Sequence, residues 1–226
     1  MVLVCGVDVG SLSTPSYVAW LQEGQFVLDL YVPSVETPLP RPPRGQSLPR
    51  CIALDAPQGL PRPGRARRAA DELANTPTRT LLNDRRDLER RRLYAGLVRA
   101  GVALFWSAHR RGAAAVVGLA TPDHRPALCE TYPRYIARRL WPDLTPPSKR
   151  RDPLAYVETL WGRLQGLGYA CPSVARPCVD HVDAMLCAVA AEAYVAAGGL
   201  PAGSVGEPPF VDEAEHVIRE GYIVSP

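Results

Sequence analysis

Residues 2–9 are apolar at almost every position and close on Asp8, ahead of Gly10 and Ser11. As a strand, such a run has no face left for water, so it belongs inside a sheet covered on both sides. Two further strands follow at once. Residues 16–21 (Ser-Tyr-Val-Ala-Trp-Leu) and 26–32 (Phe-Val-Leu-Asp-Leu-Tyr-Val) flank the tight-turn pair Glu23-Gly24, which predicts a three-stranded meander. Six prolines between Pro33 and Pro49 rule out a helix there and predict a loop. The fourth strand is 51–55.

Beyond it the pattern turns helical. A short helix is expected over 65–75, and a long one over 84–111, with Leu88, Leu97, Val98, Leu104 and Phe105 on its apolar face. Residues 113–119 read equally as strand or loop, and 126–131 as a fifth strand. Helices are expected over 134–140, 153–166 and 180–197, the last apolar on nearly every face and so deeply buried. Residues 220–224 close the chain as a short strand. Strands first consecutive, then alternating with helices, predict one α/β domain over 1–226. It is a mixed five-stranded sheet, an antiparallel meander plus parallel strands, flanked by helices. A basic helical insertion is expected over about 62–111.

The chain has 226 residues, with 46% hydrophobic and 22% charged content, ordinary for a globular protein. A formal charge of +3 does not by itself argue for nucleic acid. Lys149 is the only lysine among 26 Lys and Arg residues, a bias that a GC-rich genome produces without help from function. Six cysteines form no CxxC pair, and most lie in apolar runs, so they are expected to be reduced and structural. No leader and no membrane-spanning stretch is visible, and the cytoplasm is the expected location.

The apolar runs share a second trait: they end on carboxylates. Asp8 ends the first, Asp55 the fourth strand and Glu130 the fifth, while Asp180 and Asp183 open the late helix. Each acid alone has a bland explanation as a turn former or helix first-turn residue. Together they predict a cluster, because close carboxylates repel unless a cation joins them. If strands one and four are adjacent and parallel, Asp8 and Asp55 lie side by side at their carboxyl ends, and Asp180 and Asp183 share a helix face. Such oxygen ligands suit Mg²⁺ or Mn²⁺, and two ions held this way can hydrolyse a phosphodiester. Asp8, Asp55 and Asp183 are the expected metal ligands, with Glu130 and Asp180 completing the catalytic site.

These residues resemble a known fold. Val-Asp-Val-Gly ending strand one, the meander, an acid ending strand four and Asp180-His181-Val182-Asp183-Ala184 opening an Ala-rich helix resemble the ribonuclease-H fold, in its Holliday-junction resolvase branch. More narrowly, Asp55-Ala56-Pro57-Gln58-Gly59-Leu60-Pro61, Glu130-Thr131-Tyr132-Pro133 and the final Glu220-Gly221-Tyr222-Ile223-Val224-Ser225-Pro226 look like a bacterial and archaeal family of unknown function, number 429. Its members are described as predicted nucleases of this fold. The resemblance implies metal-dependent hydrolysis of nucleic acid and, by the resolvase analogy, a homodimer. One departure is plain: the proline loop stands where ribonuclease H carries a glutamate-bearing helix, and Glu36 is its only acid.

Arginine crowds 62–92, and Arg62, Arg65 and Arg68 directly follow the strand that ends in Asp55, so they are expected to contact a phosphate backbone, as is Lys149. A solvated helix face laced with ion pairs explains the same residues. Residues 75–79 read as a flexible lid. His181 is a candidate to orient water, and Ser11 and Ser13 to contact phosphate through a turn. Two alternatives to a nuclease stand. One is a non-catalytic nucleic-acid- or nucleotide-binding protein of the same fold. The other is an actin-like or sugar-kinase-like phosphotransferase, for which the chain is too short to supply both domains.

Overall fold

A computed structural model of the chain describes residues 2–77, 94–120, 123–172, 174 and 176–226. Strands β1 (Val4–Asp8), β2 (Ser16–Gln22) and β3 (Gln25–Tyr31) form the antiparallel meander, with Glu23 and Gly24 both at positive φ in its second turn. Strand β4 (Cys51–Asp55) pairs parallel with β1, and β6 (Ala127–Glu130) parallel with β4. The free edge of β6 is shared. Strand β5 (Ala115–Val116) takes its first half, and β8 (Val217–Ile223) its end through Glu130 and Ile223. Strand β7 (Val205–Asp212) lies antiparallel outside β8. The order along the sheet is β3-β2-β1-β4-β6-β8-β7.

The sheet is therefore mixed and eight-stranded, not five-stranded. Short β5 was legible only as ambiguous, and β7, which carries Pro208 and Pro209, was not expected from the sequence. Its pairing is irregular between Glu207 and Phe210, and β7 is an outer strand, where prolines do not break an inner ladder.

Among the described residues there are five helices: α1 (Ala69–Leu73), α2 (Ala95–Arg110), α3 (Pro133–Leu140), α4 (Pro153–Gly166) and α5 (Val179–Ala197). Residues 84–93 of the expected long helix, the arginines from 79 to 92 and the end of the expected lid lie outside the described residues. Strand alternation divides the core between the faces. Cys5, Val7, Ile52, Leu54 and Leu128 pack with Leu104, Phe105 and Ala108 of α2. Val4, Cys51, Ala53 and Cys129 pack with α3, α4 and α5 on the other face. The α2 part of the Arg-rich segment thus supplies one covering layer of the sheet.

Helix α5 lies close against β1. A Cβ placed on Gly6 would lie 2.1 Å from the Ala184 carbonyl oxygen and 2.2 Å from the Ala188 nitrogen, so only glycine fits beneath the helix. Ala184, Cys187, Ala188 and Ala191 are fully buried, and these small side chains let the backbones approach. All six cysteines are free, and only Cys178 is exposed. Among the described residues no helix is long and apolar enough to cross a membrane.

Candidate metal centre

Asp8 and Asp55 are register partners on adjacent parallel strands. Asp8 shares the parity of Val4 and Gly6, and Asp55 that of Cys51 and Ala53, so both carboxylates stand on the face covered by α5. Asp183, in the second turn of α5, descends onto them. One oxygen from each of Asp8, Asp55 and Asp183 lies within 4.8 Å of the others, Asp183 fully buried and the two strand acids partly so. This triad can hold a metal ion, and hard carboxylate oxygens are the donors a divalent oxygen-seeking cation takes.

The electrostatics follow from crowding. Burial, and then the Asp55 and Asp183 charges, hold the Asp8 carboxyl well above the ordinary range. Burial also pushes Asp55 up, to about 7, with Lys149 opposing and Asp183 and Glu130 adding to it. Asp183 is raised by burial against the pull of Lys149 and Tyr156. No donor hydrogen bond supports the charge on Asp8 or Asp55 among the described residues, whereas Asp183 has two. The Tyr156 hydroxyl of α4 donates to its Oδ1 at 2.5 Å, and the Lys149 ammonium to its Oδ2. Lys149 also lies 5.5 Å from the Tyr156 ring centre. Sequence reasoning missed Tyr156, which reads as one more core aromatic on an apolar helix.

A cleft of about 440 Å³ opens beside the triad, lined by Asp55, Tyr94, Tyr132, Arg134, Lys149 and Tyr156 among others. Lys149 stands between the two: its side chain is 42% exposed while its ammonium reaches the buried Asp183.

The remaining expected residues fall elsewhere. Glu130 aligns with Leu54, one position short of Asp55, and so belongs to the opposite face of the sheet. There its carboxylate accepts from Arg68 at 2.5 and 2.7 Å and from the Gln58 backbone N–H at 2.6 Å. Arg68 is 1% exposed and spans Glu130 and Asp71, with 2.8 and 2.9 Å bonds to the latter. The phosphate contact expected of Arg68 is therefore corrected to a buried ion-pair network, and Glu130 is its anchor instead of a converging acid. Arg62 and Arg65 are partly exposed but face Glu207 at 3.3 and 3.0 Å, with Glu220 at 4.0 Å from each. Arg62 further lies over the Phe210 ring.

Asp180 lies in the first turn of α5, and its charge raises the Asp8 and Asp183 carboxyls without belonging to the triad. His181 turns away from the acids: its Nδ1 caps the Cys178 N–H at 3.4 Å and lies 3.2 Å from the thiol, with its ring edge-on to Tyr17. Burial holds that imidazole below its ordinary value. Ser11 bonds both Ser13 and Thr14 within its own exposed turn.

Compared with known proteins, the chain matches no family model, no curated protein and no solved structure.

Proposed function

We propose that the protein is a metal-dependent nuclease of the ribonuclease-H-like fold, hydrolysing phosphodiester bonds of nucleic acid with Mg²⁺ or Mn²⁺ at Asp8, Asp55 and Asp183. The observation that carries this reading is the convergence of three carboxylates within 4.8 Å at the rim of a cleft. The sheet supports it. A meander, then parallel β4 and β6 beside β1, is the strand arrangement of that fold, and the carboxyl ends of β1 and β4 are where a ligand site belongs. The resemblance to family 429 takes in Asp8, Asp55, Glu130 and Asp183, and that to the resolvases adds Asp180; of these, Asp8, Asp55 and Asp183 converge, and Glu130 turns to the other face.

A divalent ion bound there would activate water and offset charge developing at the phosphate. The chain's own residues do the positioning. Tyr156 fixes the Asp183 carboxylate through its hydroxyl. Lys149 presents a cation toward the cleft, and Tyr94 and Tyr132 give it flat apolar walls on which a base can stack.

One observation favours the non-catalytic alternative: the Lys149 ammonium already pairs with the triad, as in a purely structural ion pair. Metal response separates the two. Mn²⁺ at about a hundred times its Kd should raise the Tm of the wild-type protein by roughly 5–10 °C, and that of Asp8→Asn or Asp183→Asn not at all. Labelled DNA and RNA should be cut by the wild type only. Identical thermal shifts in all three proteins would remove the metal site, and equal cleavage by Asp8→Asn would expose a contaminant.

A further inference from the structure

In a chain whose positive charges are otherwise all arginine, the single lysine stands in the carboxylate triad. Every other Lys or Arg ion pair among the described residues, from Arg62–Glu207 to Arg219–Asp212, uses a guanidinium. The fold has no difficulty placing arginine in structural pairs, including the fully buried Arg68. At Lys149 the demand is different. Three carboxylate oxygens within 4.8 Å leave room for a compact, ion-sized charge, and a planar guanidinium is too broad to lie among them. The ammonium is held at that point by two partners, Asp183 Oδ2 and the face of Tyr156.

Charge balance shows what the arrangement lacks. One divalent ion and one ammonium neutralise three carboxylates, whereas two divalent ions with the ammonium overshoot them. Asp183 accepts one donor on each oxygen, from Lys149 and Tyr156, and keeps a second lone pair on each for the ion that Asp8 and Asp55 face. We infer that Lys149 is the second cation of this site: a single divalent ion binds within the triad of Asp8, Asp55 and Asp183, and the ammonium, seated on Asp183 and reaching the cleft, faces a non-bridging phosphate oxygen in place of a second ion. The inference rests on the nuclease reading and replaces the two-ion site expected from the sequence with one ion and one lysine.

Ion counting tests it directly. Calorimetric titration should give one Mn²⁺ per wild-type chain. In Lys149→Ala the vacated space beside Asp183 admits another, giving two. Without the ammonium, turnover at low Mn²⁺ should fall by about a hundred- to a thousandfold, as for loss of one preorganised stabilising charge. High Mn²⁺ should then restore it, because the added ion takes the lost charge's place. Lys149→Arg, with charge retained but the wrong shape, should not regain wild-type turnover at low Mn²⁺. Circular dichroism melts of both variants, with Lys149→Gln as a neutral variant closer in length, separate these effects from misfolding. Two ions on the wild-type chain, or full turnover by Lys149→Ala at low Mn²⁺, would overturn the lysine's role and leave the metal site standing. No Mn²⁺ on any of the proteins would remove the metal site, and the lysine's role with it.

Discussion

Asp55 carries a pH signature. Its carboxyl titrates near 7 in the folded chain, against about 3.9 when unfolded, because burial and neighbouring acids disfavour its charge. The folded state thus holds the proton more tightly. The stabilisation this gives is complete below about pH 4 and is lost as the pH rises through 7. Without metal, the protein should therefore melt at progressively lower temperature from pH 5 to pH 8. Asp55→Asn should flatten that profile and melt higher than wild type at pH 8, while Mn²⁺ affinity of the wild type should climb over the same interval. A wild-type melting curve that rises toward pH 8 would contradict the crowding of Asp8 and Asp55. The acids themselves were legible as strand-ending carboxylates. What residue type does not carry is register. One position of offset between β4 and β6 turns Glu130 to the other face, and burial there makes Arg68 a structural cation although it reads like its neighbours Arg62 and Arg65. Lys149 was visible as the only lysine, but composition alone gave that no weight.

At the scale of elements, α5 and β1 set the geometry of the site. The Ala-rich pattern of α5 made its burial readable, and its observed span, Val179–Ala197, lies within one residue of the expected one. The consequence for Gly6 was not readable, since a glycine in a strand has several explanations. Any side chain at Gly6 strikes the α5 backbone, and Asp183 rides on that helix one residue before Ala184. Gly6→Ala should therefore lift α5 from β1 and separate Asp183 from Asp8. Expected outcomes are a destabilisation of about 1–3 kcal/mol, as for overpacking, and a Mn²⁺-induced thermal shift reduced to a fraction of the wild-type value. A variant that melts lower yet keeps the full Mn²⁺ shift would show that the helix moves without carrying Asp183. Strand β7 was the element least legible, because it carries Pro208 and Pro209 and its pairing with β8 is irregular there.

At the scale of the whole molecule, among the described residues, three arginines expected to meet phosphate are already committed to acids. Arg62 and Arg65 face Glu207 and Glu220, and Arg68 is internal, whereas Lys149, Arg134 and Arg150 line the cleft, where the proposed nuclease would meet phosphate. Double-stranded nucleic acid should bind with a shallow salt dependence, a slope of log K on log salt of about −3, and Arg62→Ala/Arg65→Ala should change it by less than one. A drop of about two in the magnitude of the slope for that double variant would return both arginines to the nucleic-acid surface. The fold class was legible because strand and helix periods are local. The breadth of the sheet was not, because β5 and β7 are defined by distant partners, while β8, expected over 220–224, runs over Val217–Ile223. The pairing of Asp8 with Asp55 has a consequence for how this protein can change. Adjacent parallel strands are set about 4.8 Å apart by their hydrogen-bond ladder, so the main chain acts as a ruler for the two acids. Substitutions that loosen the side-chain core under α2 leave that ruler intact until the sheet itself opens. Sequence drift in the outer layers can then be extensive while the spacing of Asp8 and Asp55 stays constant, and that pair is lost only with the sheet itself.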